Sequence, residues 1–288
     1  MILTVDAPIG APTAEAVMAR AEGENFPVAS RVLSRRVRSH LLAIYGFARL
    51  VDELGDSARG DRLAALDWLR EELDRAYEGR AEHPLLEGLE PTLRECALPR
   101  EPFVRLIEAN RVDQRVSRYE TWEELRGYCR LSADPVGELV LGVLGMATPA
   151  RIALSDSICT ALQLTEHCQD VAEDYASGRV YLPAEDLARF GCATAELGAE
   201  HAGEPLREVL AFEVARARGL LADGAPLIDE LRGRARLALA GFVAGGRSAL
   251  DAIERAGYDV LAGPPRATRA RRLLALAATL AQSRGQAS

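Results

Sequence analysis

Two short stretches carry acidic residues at a matched spacing. In "RLVDELGD", Asp52 and Asp56 are four residues apart, and Arg49 lies three before Asp52. In "LQLTEHCQDVAEDYASGRVYLP", Asp170 and Asp174 repeat that spacing, with Glu166 four before Asp170 and Gln163 three before Glu166. On an α-helix four residues turn about 400° and climb about 6 Å, so each pair shares one face. Oxygen ligands so spaced suit Mg2+, a hard cation that keeps several waters and bridges carboxylates to phosphate; Mn2+ is the alternative.

A lone D-x-x-x-D in a helical protein is usually a solvated face. These two pairs differ in their surroundings. Leu41, Leu42, Ala43, Ile44, Tyr45, Phe47, Leu50 and Val51 precede Asp52, while Ile158, Leu162, Leu164 and Val171 flank the second pair. A helix that is apolar nearly all round is a buried one, and carboxylates on it require cations or metal. The expectation is two such helices facing each other across a cavity. A basic stretch, "SRVLSRRVRSH" with Arg31, Arg35, Arg36 and Arg38, reads as a solvated helix start or as a diphosphate or lipid-headgroup contact. The four histidines have no ligand spacing, and His167 reads as ordinary surface or core.

The elements that position these residues are helical by periodicity. Expected helices cover 12–22, 34–54 with Ser34 as N-cap, 61–77, 84–96 and 101–116. "TWEE" at Thr121 is a capping box that starts another. Asp134-Pro135 breaks it, and the helix resumes to about Gly145. Further helices are expected over 155–175, 183–190, 205–223, 226–256 and 267–283, with 192–203 as loop. No linker or internal repeat appears, so the expectation is one all-α domain over 1–288, with about ten helices around a central cavity.

Composition removes other functions. The chain has 288 residues, net charge −8 and pI about 5.3, so it offers no basic footprint for nucleic acid. Every basic residue is Arg, which rules out a Schiff-base lysine and a Walker lysine. No G-x-G-x-x-G occurs, so no nicotinamide is expected. Five scattered cysteines without a C-x-x-C pair read as reduced cytosolic thiols. The start of the chain does not read as a signal peptide, and its longest apolar run is too short to span a bilayer. The expected location is cytoplasmic, with peripheral contact on the inner membrane face as a further possibility.

The stretches "ARLVDELGD" and "QDVAEDYASGRVYLP", with "YCRLSADPVG" between them, resemble the squalene and phytoene synthase family across nearly the whole chain. The resemblance implies an all-α, Mg2+-dependent enzyme of the isoprenoid-synthase type acting on a prenyl diphosphate. "NFPVAS" and the Gln of "QDV" resemble the hydroxysqualene synthase branch of bacterial hopanoid formation. That branch implies ionisation of presqualene diphosphate, capture of the rearranged cation by water, and contact with pathway enzymes upstream and downstream.

Carried over by position, Asp52, Asp56, Asp170 and Asp174 match the metal-binding motifs, and Arg49 matches a diphosphate contact. Tyr128, Gly137 and Gln163 match cavity-lining positions. Tyr45 and Phe47 share the first helix and are expected to line the cavity, and Tyr128 or Glu166 to position the water. Departures from phytoene-type members fall at Asn25, Asp134, Glu166, Gln169 and Phe242. They weaken head-to-head condensation of two farnesyl diphosphates, which remains the alternative, ahead of a non-catalytic binding protein.

Overall fold

The computed structural model describes residues 32–56 and 60–285. The expected helix over 12–22, and Asn25, Phe26 and Arg31, lie outside them. The described residues are helical, with one isolated bridge and no strand. They pack as two compact units. One takes the chain up to Arg115 and Pro135–Thr148; the other takes Val116–Asp134 and the chain from Pro149 onward.

In the first unit, α1 (Arg35–Asp56) packs on α2 (Arg62–Tyr77), α3 (Pro84–Glu95) and α4 (Glu101–Asp113). Ser34 caps α1 by accepting from the Val37 amide at 3.3 Å, and Asp61 caps α2 by accepting from Ala64 at 3.0 Å. Leu50, Leu54, Leu66, Leu69 and Leu73 are fully buried in the core, joined by Leu139 of α6 (Asp134–Val143). Each such side chain contributes about 1.5–3 kcal/mol by leaving water.

In the second unit, α5 (Trp122–Ser132) and α10 (Glu204–Gly224) pack on α7 (Pro149–Gln169), as does α12 (Gly233–Arg255); α13 (Arg269–Gly285) covers α12. The short helices α8 (Val171–Ala176), α9 (Ala184–Arg189) and α11 (Leu227–Glu230) complete it. Thr121 starts α5 as expected, its hydroxyl accepting from the Glu124 amide at 3.2 Å, and Glu124 reaches back to the Glu120 amide at 2.8 Å. Asp134 is buried and accepts from the Thr160 hydroxyl at 3.0 Å.

Three elements differ from the sequence expectation. The helix foreseen over 155–175 begins at Pro149 and is interrupted at Asp170, whose backbone turns to φ −101° and ψ 17°. Aspartate competes for backbone donors and favours such breaks. The helix foreseen over 226–256 divides because Leu231 extends to bury its side chain and Gly233 adopts φ +58°, a conformation open chiefly to glycine. Within the foreseen loop 192–203, Thr194–Gly198 forms a 3-10 turn.

A buried charge cluster lies inside the second unit. Arg216 donates to Asp186 at 2.9 Å and to Glu213 at 2.5 Å, and its guanidinium lies over Trp122 at 4.5 Å. Burial pushes Glu213 up to about 8 against the pull of Arg216, and the neighbouring Asp186 raises it further. The folded state therefore holds this proton more tightly than the unfolded chain, whose carboxyl titrates near 4.5. The stabilisation is full below the unfolded value and is lost as pH rises through the folded one. Glu213→Gln should melt close to the parent at about pH 5 and above it at about pH 8.5, as read by thermal unfolding across that range.

Candidate active site

The first acidic pair ends α1. Asp52 receives Arg49 at 3.5 Å and the Asn110 amide at 3.4 Å from α4. Arg49 also reaches Glu53 at 3.7 Å. About half of the Asp52 side chain (47%) remains accessible, so the helices packed around it remove part of its water. That desolvation raises its pKa to about 6, opposed by Arg49 and Asn110 and aided by Asp56 and Asp113. A carboxylate so crowded by like charge gains from an added cation. Asp56 is exposed at the helix end.

The approach of α1 to α4 depends on Gly55. A Cβ there would overlap the Asn110 carboxamide, lying 2.9 Å from its Cγ. Gln114 fastens the same crossing by donating to the Gly55 carbonyl at 2.9 Å.

The second pair follows α7. The amide of Asp170 still bonds Glu166 O at 2.9 Å, and that of Asp174 bonds Asp170 O at 2.8 Å. The two residues therefore stay one backbone turn apart despite the break at Asp170. Desolvation raises the Asp170 pKa, with Glu173 adding to the rise and Arg266 opposing it. The Gln169 side chain donates to Pro265 O at 2.7 Å and holds the segment that carries Arg266 beside Asp170. Glu166 is exposed on α7 and Gln163 half-buried.

Tyr128 enters an aromatic cluster built by two loops. The Val180 amide bonds Ser117 O at 2.8 Å, and the Ala184 amide bonds Tyr119 O at 2.9 Å. This pairing stacks Tyr119 on Tyr181 at 5.9 Å, and Tyr128 meets both, at 5.5 and 5.7 Å. The buried ring of His167 stacks on Tyr181 at 3.9 Å. Burial lowers the His167 pKa to about 3, so its ring is uncharged. His167, Asp174, Arg179 and Tyr181 line a small pocket.

Not every foreseen residue reaches an open surface. Phe47 lies fully buried in the core of the first unit, where its ring meets Phe103 edge-on at 5.0 Å. Its place is therefore packing rather than the wall of a cavity. Tyr45 is buried on α1, and Gly137 is half-buried on α6. Asn110, His167, Tyr119, Tyr181, Arg179 and Arg266 escaped the sequence reading. Asn110 had a signal: it occupies a stripe position after Phe103, Leu106 and Ile107, where an apolar residue is the norm.

The oxygen donors fit Mg2+. Among the described residues no three His, Cys, Asp or Glu side chains form a ready-made cage. Mg2+ does not require one, since it binds through one or two carboxylates, waters and substrate phosphate.

The squalene/phytoene synthase family model matches residues 19–273. The chain belongs to the squalene/phytoene synthase family. It is an all-α enzyme of isoprenoid biosynthesis. It is 37% identical over 211 residues to a hydroxysqualene synthase of Rhodopseudomonas palustris, covering 73% of this chain and 72% of the relative. It is 34% identical to a phytoene synthase of Arthrospira platensis over 260 residues, 82% of each chain. Squalene synthase HpnC from Alicyclobacillus acidocaldarius superposes with a TM-score of 0.81 at 45% identity, over 87% of this chain and 94% of that one. A dehydrosqualene synthase solved with ligand superposes with a TM-score of 0.85 at 25% identity, over 94% and 95%. Among the described residues no helix is long and apolar enough to cross a membrane.

Gly55→Ala should force Asn110 from Asp52 and lower stability by about 1–3 kcal/mol, the range for overpacking. Urea unfolding of the purified variant measures the loss. A midpoint equal to that of the parent would show that α4 yields freely.

Proposed function

We propose that the enzyme converts presqualene diphosphate and water to hydroxysqualene and diphosphate. The choice of reaction is carried by the similarity to hydroxysqualene synthases from three bacteria, at 34–37% identity. The charge arrangement supports the chemistry. Asp52 with Asp56, and Asp170 with Asp174, would each hold Mg2+, which supplies charge neutralisation for a departing diphosphate.

The chain's own residues do the rest. Arg49, tied to Asp52 and Glu53, and Arg266, close to Asp170, offer guanidinium donors to phosphate oxygens. Tyr119, Tyr128 and Tyr181 offer ring faces to a carbocation. The uncharged His167 puts no positive charge beside it. Tyr128 and the exposed Glu166 remain the candidates to place the attacking water, with Gln163 and Gly137 toward the substrate. Location in the cytoplasm, with peripheral contact at the inner face of a membrane, suits an enzyme with a lipid product.

The deciding experiment incubates the purified enzyme with presqualene diphosphate, Mg2+ and 18O-labelled water. The expected product is a C30 alcohol carrying the label. An unlabelled hydrocarbon, or turnover of farnesyl diphosphate in place of presqualene diphosphate, would overturn the proposal. The second outcome would favour condensation, to which the phytoene and dehydrosqualene synthase likenesses point. Asp52→Ala and Asp170→Ala should each lower turnover by at least roughly 10²–10³-fold, with helicity by circular dichroism unchanged.

A further inference from the structure

His167 lies one helical turn after Gln163 on α7, and its ring is buried. Its two nitrogens meet different neighbours. Nε2 is 3.3 Å from the Gln163 amide nitrogen, and Nδ1 is 4.0 Å from the Asp174 carboxylate. An amide nitrogen only donates and a carboxylate only accepts. One neutral tautomer satisfies both: Nδ1 carries the proton toward Asp174, and Nε2 accepts from Gln163. Turning the Gln163 amide over would put its oxygen against Nε2. The Nε2 proton would then face that oxygen, and the bare Nδ1 would face an anion, which is repulsive. The stack on Tyr181, with ring planes 14° apart, fixes the imidazole in that plane. The gap to Asp174 exceeds a direct hydrogen bond. His167 and Asp174 line one small pocket, and at this distance the contact between them is electrostatic.

We propose that His167 is a positioning residue, its imidazole set between the Gln163 amide and the Asp174 carboxylate and so fixing how each meets the magnesium diphosphate. The inference rests on the reading of Asp174 as a metal-holding carboxylate. Partners that orient a ligating side chain in this way typically matter by about 10–100-fold in metal affinity or activity. The imidazole also leaves the Gln163 oxygen as the amide's open acceptor.

The test uses the full-length protein and inorganic diphosphate with Mg2+, titrated by calorimetry. His167→Phe keeps a flat ring against Tyr181 and removes both nitrogens. It should melt no lower than the parent, yet bind diphosphate about 10–100-fold more weakly. His167→Asn places an amide nitrogen near the former Nδ1 and should recover most of that loss. In 15N-histidine spectra of the parent, the signal that disappears in His167→Phe should be the Nδ1–H tautomer.

Parental affinity in His167→Phe, an asparagine variant as weak as the phenylalanine one, or an Nε2–H tautomer would each overturn the inference and leave the proposed reaction standing. A parent protein that binds no diphosphate with Mg2+ would overturn both.

Discussion

Asp52 loses much of its water to the helices packed around it, and the compensation it finds is partial. Arg49 and Asn110 oppose the loss while Asp56 and Asp113 add to it, and the carboxyl is left well above its ordinary range. Asp170 is pushed in the same direction, with Arg266 as the opposing charge. In Asp52 and in Asp170, burial thus disfavours the charged form by more than the neighbouring cations compensate. A structure arranged for stability alone would replace such groups with apolar ones. Their retention makes sense where a cation and an anionic ligand arrive together.

Much of the surrounding architecture sets how far these carboxyls are compensated. The Gly55 crossing lets Asn110 come close enough to share Asp52. The Gln169 bond to Pro265 brings a guanidinium toward Asp170 from far along the chain. By contrast, the triad of Arg216, Asp186 and Glu213 is sealed in the second unit. There Arg216 is already in place beside two acids, yet burial and the neighbouring Asp186 still hold the Glu213 carboxyl up at about 8. The two kinds of acidic cluster differ in accessibility: Glu213 is wholly enclosed, whereas Asp52 keeps about half its side chain open.

The all-α class was legible because Leu and Ala repeat at helical spacing, and Ser34 and Thr121 were legible because capping is a local interaction. The acidic pairs were visible for the same reason: a spacing of four residues is a local relation, although the second pair straddles a helix break. What escaped was non-local. Asn110 reaches Asp52 across 58 positions of sequence, and Tyr119 meets Tyr181 across a comparable stretch. Phe47 misled because periodicity shows that a face is apolar but not whether it meets a ligand or another ring. His167 is an exception, since Gln163 lies only one turn before it; spacing alone does not show that its ring is buried and stacked on Tyr181. Asp170 broke its helix for a reason set partly by its own side-chain chemistry, which a count of apolar positions does not register.

The tyrosine cluster is aligned chiefly by main-chain bonds between residues 117–120 and 180–185, beside which the Glu185 carboxylate accepts from the Trp122 amide at 2.6 Å. Ser117, Arg118 and Glu120 can therefore vary widely in homologous enzymes without disturbing the ring stack. A proline at position 180 or 184 would remove an amide that the alignment uses. Divergence in this region should accordingly be tolerant of side-chain type and intolerant of lost backbone donors.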